Sequence, residues 1–369
     1  MKKSLLLFCL PLLLFGCSKK QQGDKYEFPR TYSLTSKMYD TDIFATQPSL
    51  FLVDSFAGTL SFRTQQDFMR FYSIAEGFRE VGAYGSLGRG PLDFLSPEFS
   101  SVEGGDMFIY SQGDSQLARL RVADSGNGVE IRETWRRTFE FPGNEQFIDN
   151  VHQGVRAPFQ RMRPFYPVRL SSGYFAGVSF DNSPEFFSLW DDDLNFVRFF
   201  GDAPIPEEID EFVIRANRFQ GRLQSHGNRL VFAAREFPYL ALYEINDAEP
   251  VQKWAKYFLK PVYTVQDKKL ILDGSKMFGE TQNLSLGEDY IYLIFLDLIW
   301  DEIDFKISEQ SNGNIVFVFD YAGNRVARLD LDRRVSQIAV SSDERTLYGI
   351  TETEDGYRFV EFELPKFRE

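Results

Sequence analysis

The chain has 369 residues, 43% hydrophobic and 16% aromatic, and its 54 acidic against 41 basic side chains give a net charge of −13. That balance excludes a nucleic-acid binder, whose electrostatic footprint is a basic face, and gives the folded body no attraction to an anionic membrane. With only Cys9, Cys17, His152 and His226 to draw on, a disulfide framework, a thiol nucleophile in the mature globule, a thiolate metal site and a histidine-rich zinc centre are excluded too.

The first sixteen residues read as an export signal. Lys2 and Lys3 form a charged start and Leu5 to Phe15 is apolar. Thirteen residues from Ser4 to Gly16 fall short of the ~20 that a membrane-spanning helix needs. Leu14-Phe15-Gly16-Cys17 resembles the lipobox of bacterial lipoproteins. That resemblance implies cleavage of residues 1–16 and lipidation of Cys17, with several acyl chains anchoring more firmly than the single chain that binds only marginally. Loss of Lys2 and Lys3 takes the mature charge to −15. A plain secretory signal with an incidental cysteine is the alternative. Residues 17–29, polar over Ser18 to Lys25, are expected to form a flexible tether.

Residues 30–365 are expected to form a single domain, since no linker-like shift in composition interrupts them. No run has a helical period. What recurs is a short apolar run, a turn, and a second run of alternating character. Phe51–Asp54, Met107–Tyr110, Tyr174–Val178, Leu230–Ala234, Tyr290–Ile294 and Leu347–Ile350 open six such units of about 55–60 residues. Asp320-Tyr-Ala-Gly-Asn324 and Ser311-Asn-Gly-Asn314 place glycine where a hairpin needs positive φ. The pattern predicts an all-β, six-bladed β-propeller, which leaves only short protected edges. Its interior would take many of the 38 Phe and 17 Tyr. The last unit offers three strands, Val335–Ser341, Leu347–Glu352 and Arg358–Leu364; the strand-like Arg30–Met38 is predicted to supply the fourth and close the ring. Two packed β-sandwiches are the alternative architecture.

Between the first two units lies Ala83-Tyr-Gly-Ser-Leu-Gly-Arg-Gly-Pro-Leu-Asp-Phe-Leu-Ser-Pro97. Its glycines and Arg89 suggest a phosphate cradle, but the Lys-Ser/Thr of a P-loop is missing and no helix-period run follows. In a propeller it is the crossover from blade one to blade two. Gly88, Arg89, Gly90, Pro91, Asp93 and Phe94 are expected to shape it, Arg89 and Asp93 fastening adjacent blades and Phe94 filling the gap. Ligand contact is the alternative.

Gly85–Pro97, Phe187–Gly201, Phe219–His226 and Asn314–Asn324 with Ile338–Thr351 resemble the TolB-like six-bladed propeller lipoproteins of Bacteroidota. The likeness covers most of the mature chain and rests on blade turns and strand patterns, so it implies fold and placement and transfers no catalytic residue. The family is similar in shape to the periplasmic TolB propeller, a protein-interaction module, an analogy at the level of fold. Ser18 in place of Asp looks like an outer-membrane signal. Gln21 and Gln22 after Lys19-Lys20, where surface-exported lipoproteins tend to carry acids, favour the periplasmic face.

Candidate chemistry is sparse. No Gly-x-Ser-x-Gly elbow accompanies the two histidines, and His226 reads as a turn residue. Asp54, Asp297, Asp301, Glu302 and Asp304 could offer oxygens to Ca²⁺ in the channel, the basis of a lactonase-type hydrolase as an alternative function; no other cofactor is indicated. Arg156, Arg161, Arg163 and Arg169 crowd one proline-broken stretch of an acidic chain. They suggest a site for an acidic ligand or partner, or else internal pairing with carboxylates. A carbohydrate-binding accessory is a third possibility, with Trp135, Trp190, Trp254 and Trp300 as its aromatic platform. The main expectation is an anchored envelope propeller that binds an envelope protein or a small ligand.

Overall fold

The computed structural model describes residues 27–368 apart from 44–46, 62–65, 127, 141–163, 180–184, 205–220, 260–261, 268, 274, 276–277 and 300–311. Among the described residues there is no helix. Two short strands, β1 (Thr31–Leu34) and β2 (Ser36–Met38), precede the first blade. Blade one is β3 (Ser49–Val53), β4 (Phe56–Leu60), β5 (Gln66–Ser73) and β6 (Arg79–Ser86). Blade two is β7 (Pro97–Glu103), β8 (Asp106–Ser111), β9 (Gln116–Asp124) and β10 (Val129–Thr138). Blade three is β11 (Phe165–Arg169), β12 (Phe175–Val178), β13 (Phe187–Trp190) and β14 (Phe196–Phe200). Blade four is β15 (Gly221–His226), β16 (Arg229–Ala234), β17 (Tyr239–Asn246) and β18 (Glu249–Tyr257). A separate hairpin, β19 (Tyr263–Gln266) with β20 (Lys269–Leu272), follows it. Blade five is β21 (Phe278–Leu286), β22 (Tyr290–Ile299), β23 (Gly313–Asp320) and β24 (Arg325–Val335). Blade six is β25 (Gln337–Val340), β26 (Thr346–Thr353) and β27 (Gly356–Glu363), completed by β2.

The first strands of the six blades touch in the order β3, β7, β11, β15, β21, β25, and β25 returns to β3. The ring is therefore a closed six-bladed β-propeller. Side chains stitch these inner strands together. Asn283 Oδ1 accepts from the Ile338 N–H at 3.1 Å, and Ser285 Oγ accepts from the Val340 N–H at 3.0 Å. The two residue numbers rise together, so neighbouring inner strands run parallel around the axis.

The hydrophobic core is divided among the seams. Phe71 and Ile109 belong to the cluster between blades one and two, Tyr110 and Trp190 to that between two and three. Leu189 and Phe232 mark the next seam, Val231 and Phe317 the fourth, Tyr292 and Val360 the fifth. Tyr72 and Phe359 mark the sixth, where last blade meets first. Because a middle strand is covered on both faces, it reads as a continuous apolar run rather than an alternating one; β8 and β12 are buried throughout. Five of the six sequence runs fall on such second strands. The first does not: Phe51–Asp54 lies on the inner strand β3, and the second strand is β4. The bulk missing from β4 is supplied by its neighbour, since a Cβ on Gly58 would stand 2.1 Å from the Phe51 ring.

Closure uses the N-terminal segment, which divides at Thr35 between two blades. β2 pairs antiparallel with β27, Ser36 opposite Phe362, and becomes the outer strand of blade six. β1 instead runs parallel to β24, Thr31 opposite Arg328, as a fifth strand on blade five. The Ser36 N–H donates to the Asp332 carboxylate at 3.1 Å, and the Arg333 guanidinium donates to Ser36 Oγ at 3.1 Å. The fold holds the chain before residue 30 and after residue 365. Phe28 stacks on Phe317 at 4.7 Å, and Phe367 packs edge-on to Tyr290 at 5.1 Å.

The crossover between blades one and two is a clasped loop. The Ser86 hydroxyl and the Gly90 N–H donate to the Asp93 carboxylate, the latter at 2.8 Å. The Phe94 N–H donates to the Ser86 carbonyl at 2.9 Å, and the Gly88 N–H to the Phe94 carbonyl at 3.2 Å. Phe94 is 1% exposed and meets Phe68 edge-on at 5.3 Å, within the core shared by the two blades. The guanidinium over its ring, at 4.0 Å, belongs to Arg136 of β10, which also donates to the Asp93 carbonyl at 2.6 Å. Arg89 and Pro91 are exposed on the loop, so the inter-blade fastening expected of Arg89 is made by Arg136.

Deleting residues 31–38 is expected to bare the edges of β24 and β27 and to lower the thermal unfolding midpoint by about 10 °C or more. An unchanged midpoint would show that the segment does not hold the ring. Asp93 gives a pH signature. The Ser86 hydroxyl, the Gly90 N–H and the Arg136 charge hold its carboxyl below the usual carboxylate range. A depressed acid stabilises the fold above its unfolded pKa and loses that contribution as pH falls through the folded value. The stability gap between the native chain and Asp93→Asn should therefore be open at neutral pH and narrow on acidification. Denaturant midpoints measured across the acid range check this, and a gap independent of pH would refute it.

Candidate functional site: the axial channel

A cavity of about 70 Å³ lies on the axis, and each inner strand contributes to its wall: Ser49, Ser100, Tyr166, Arg222, Asn283 and Gln337. It has room for about five waters. Leu50, Phe99, Val168 and Leu223 add apolar surface beside these groups.

Tyr166 is placed there by a bulge. Phe165 faces Val178 and Val168 faces Ala176, so Tyr166 and Pro167 together oppose Gly177 alone. Pro167 has no N–H to give to the ladder and is tolerated in a strand at such an irregularity. Gly177 makes the space, since a Cβ there would lie 2.4 Å from the Pro164 side chain. Tyr166 takes φ 51°, uncommon for a bulky residue, and a bulge re-aims the side chain it carries. Burial and then the Glu98 charge push its phenol pKa up, against the opposing pull of Arg222 and Arg235. The hydroxyl is thus a neutral donor near neutral pH. It makes no hydrogen bond among the described residues.

A short relay orients the amides opposite. The Ile338 N–H fixes the Asn283 carbonyl oxygen, which turns the Asn283 NH2 to donate to Gln337 Oε1 at 2.9 Å. Gln337 is left with its own NH2 as a donor. Gln224 lines the same wall, and none of the lining residues carries a carboxylate. In a chain of net charge −13, this is a donor-rich pocket with one guanidinium.

Of the arginines read from sequence, Arg156, Arg161 and Arg163 lie outside the described residues, as do Cys17 and His152. Arg169 ends β11 and reaches Asp192 at 2.5 Å, the Gly173 carbonyl at 3.0 Å and Glu103 at 3.5 Å, with Phe175 under its guanidinium. It ties blade three to blade two, and the same stretch meets the channel through Tyr166. Gly88, Arg89, Gly90, Pro91, Asp93 and Phe94 form the crossover loop described above. His226 ends β15 and contacts Glu288 across a seam at 2.9 Å. Asp54 sits in the β3–β4 turn and Asp297 is exposed near the far end of β22, while Asp301, Glu302 and Asp304 lie outside the described residues. Among the described residues no three His, Cys, Asp or Glu side chains group as metal ligands. Trp190 is 1% exposed, Trp135 packs on Phe108, and Trp254 donates to the Tyr321 carbonyl; Trp300 is outside the described residues.

Sequence reasoning missed Tyr166, Arg222, Gln224, Asn283 and Gln337. Only Tyr166 carried a signal, the proline after it inside an otherwise apolar strand.

No family model matches the chain, and no curated protein matches it. Solved structures match its fold. A Bacteroides fragilis protein described as exported superposes with TM-score 0.53 at 6% identity, over 90% of this chain and 95% of its own. A luciferin-regenerating enzyme gives 0.48 at 10% identity, over 89% and 95% of the two chains. BamB of Moraxella catarrhalis gives 0.36 at 12%, over 87% and 70%. At 6% identity, what the Bacteroides fragilis protein shares with this chain is the fold.

Proposed function

We propose that the chain is a lipid-anchored propeller of the bacterial envelope that works as a binding module, offering the mouth of its axial channel and the loops around it to a small ligand or an envelope protein. One observation carries this reading: six strands, one from each blade, bring polar side chains to a single cavity on a rigid axis. A closed ring holds such groups in place before the ligand arrives, which reduces the ordering cost of binding. The wall of hydroxyl, amide and guanidinium groups suits recognition better than the convergent carboxylates that Ca²⁺-dependent hydrolysis needs. Three of the four tryptophans are occupied in packing, which removes most of a sugar-stacking platform.

The resemblance of Leu14–Cys17 to a lipobox supports the anchor, and the likeness to a protein described as exported agrees with it. The described fold begins at Glu27, so the stretch from Cys17 would let the propeller stand at most about 35 Å from the lipid. We place it on the periplasmic face of the outer membrane, as Ser18 and Gln21-Gln22 suggest.

Two measurements test the reading. Cys17→Ser should move the protein from the membrane fraction to the soluble fraction, and retention at the membrane would refute lipid anchoring through this residue. Crosslinking and capture of envelope proteins should lose its partner set in an Arg161→Ala, Arg163→Ala double variant that keeps its fold. An unchanged set would remove these arginines as partner contacts.

A further inference from the structure

The crossing from blade four to blade five carries more chain than it needs. A single residue, Ser336, takes the chain from β24 to β25, whereas residues 258–277 separate β18 from β21. The added length has a definite course. Phe258 and Leu259 pack in the seam between blades four and five. Tyr263, Val265 and Leu270, on the hairpin of β19 and β20, pack instead in the seam between blades three and four. The chain thus doubles back across the end of blade four before it enters blade five. A connection so much longer than the topology demands is the kind that carries function.

The hairpin has two unlike faces. Val265 stands opposite Leu270, and Thr264 opposite Ile271. Successive side chains of a strand point to opposite sides, so Tyr263, Val265 and Leu270 share the face turned to the propeller, while Thr264 and Ile271 are exposed. Its landing place is the β16–β17 loop, where the Tyr263 ring meets Phe237 edge-on at 6.2 Å. Among the described residues the hairpin pairs with no other strand, and a two-stranded ribbon is at best marginally stable alone. Apolar side chains, rather than ladder hydrogen bonds, hold it down.

The axial cavity lies on the same side. Ser49 and Gln337 are the first residues of their inner strands and Tyr166 the second of its own, so the cavity sits where the crossovers enter. Val168 and Leu223 of its wall belong to the same apolar cluster as Leu270. Arg235, in the landing loop, is close enough for its charge to bear on the Tyr166 phenol.

Resting on the reading of this channel as a binding site, we propose that the β19–β20 hairpin is a lid on the blade-four side of the axial cavity. It lifts as a unit while the ring stays closed, and so controls entry. Such a local opening costs less free energy than unfolding blades whose strands are tied in ladders.

Thiol labelling tests the lid. Val168→Cys places a reporter of similar size in the cavity wall, at a position 1% exposed. Val318→Cys places a control at 0% exposure in the seam between blades five and six. With only Cys9 and Cys17 otherwise in the chain, mass spectrometry of the peptide around each new cysteine isolates its rate. In the full chain in detergent, paired Tyr263→Ala and Leu270→Ala substitutions should speed labelling at 168 by about tenfold or more and leave 318 unchanged. Equal acceleration at both positions, or none at 168, would overturn the lid. Hydrogen exchange on the unsubstituted chain needs no variant to fold. Amides of β19 and β20 should exchange at least about tenfold faster than those of β16 and β17, and equal protection would also overturn it. Labelling as expected with no partner captured would count against the partner reading and leave the lid standing. Partner capture without lid opening would sink this proposal alone.

Discussion

Closure of the ring is the constraint on which the rest of this structure depends. No blade buries its own faces; each hydrophobic cluster forms between one blade and the next. Five of these seams join neighbours in sequence, but the sixth brings Phe78 and Tyr72 of the first blade onto Phe359 of the last, at 4.3 and 4.8 Å. Bringing such distant residues together costs loop entropy that grows only logarithmically with the intervening length. The aromatic surface gained is of the same kind as at any other seam. β1 and β2, paired with partners equally remote in sequence (Thr31 opposite Arg328, Ser36 opposite Phe362), then cover the outside, linking blades five and six by backbone hydrogen bonds.

The closed ring also explains why the channel can be polar. Inner strands cannot pack apolar side chains across an axis that stays open to water. Instead they use serines and amides sideways: Ser285 and Asn283 bond to the backbone of β25, and Ser101 accepts from the Arg169 N–H at 2.9 Å. These bonds set the inner strands in register and fix the orientation of the amides that line the cavity. Stability and recognition therefore draw on the same residues, which makes Asn283 a support for the site as well as a tie between blades.

How far the sequence reveals this follows from burial. Met107–Tyr110 and Leu230–Ala234 stand out because middle strands are covered on both sides, and the count of six units came directly from such runs. The first unit was misphased because β4 carries Gly58 under the Phe51 ring, so the richer run was on β3. Counting strands in the last unit was enough to assign the closing role to Arg30–Met38, but its division at Thr35 had no signal, since a parallel pairing needs no turn. In the crossover, Phe94 is buried between the two blades, whereas the Asp93 carboxylate, expected to fasten adjacent blades, instead clasps its own loop through Ser86 and Gly90. Arg136 is not legible there, because it comes from the outer strand of the following blade. The channel wall is the extreme case: residues from Ser49 to Gln337 meet there, drawn from six strands that are far apart in sequence.

Tyr166 is where these constraints meet. An aromatic residue with positive φ carries a backbone cost of order ~1 kcal/mol, and Pro167 removes a donor from the ladder. The neighbouring blade compensates. The Ser100 hydroxyl donates to the Pro167 carbonyl, and Ser101 takes the Arg169 N–H, so the backbone groups displaced by the bulge find partners in side chains of β7. A bulge so well supported by the adjacent strand is part of how blades two and three fit together. Straightening β11 would therefore disturb that seam as well as withdraw the phenol from the axis. The channel-facing tyrosine and the inter-blade contact are consequences of one residue, Pro167.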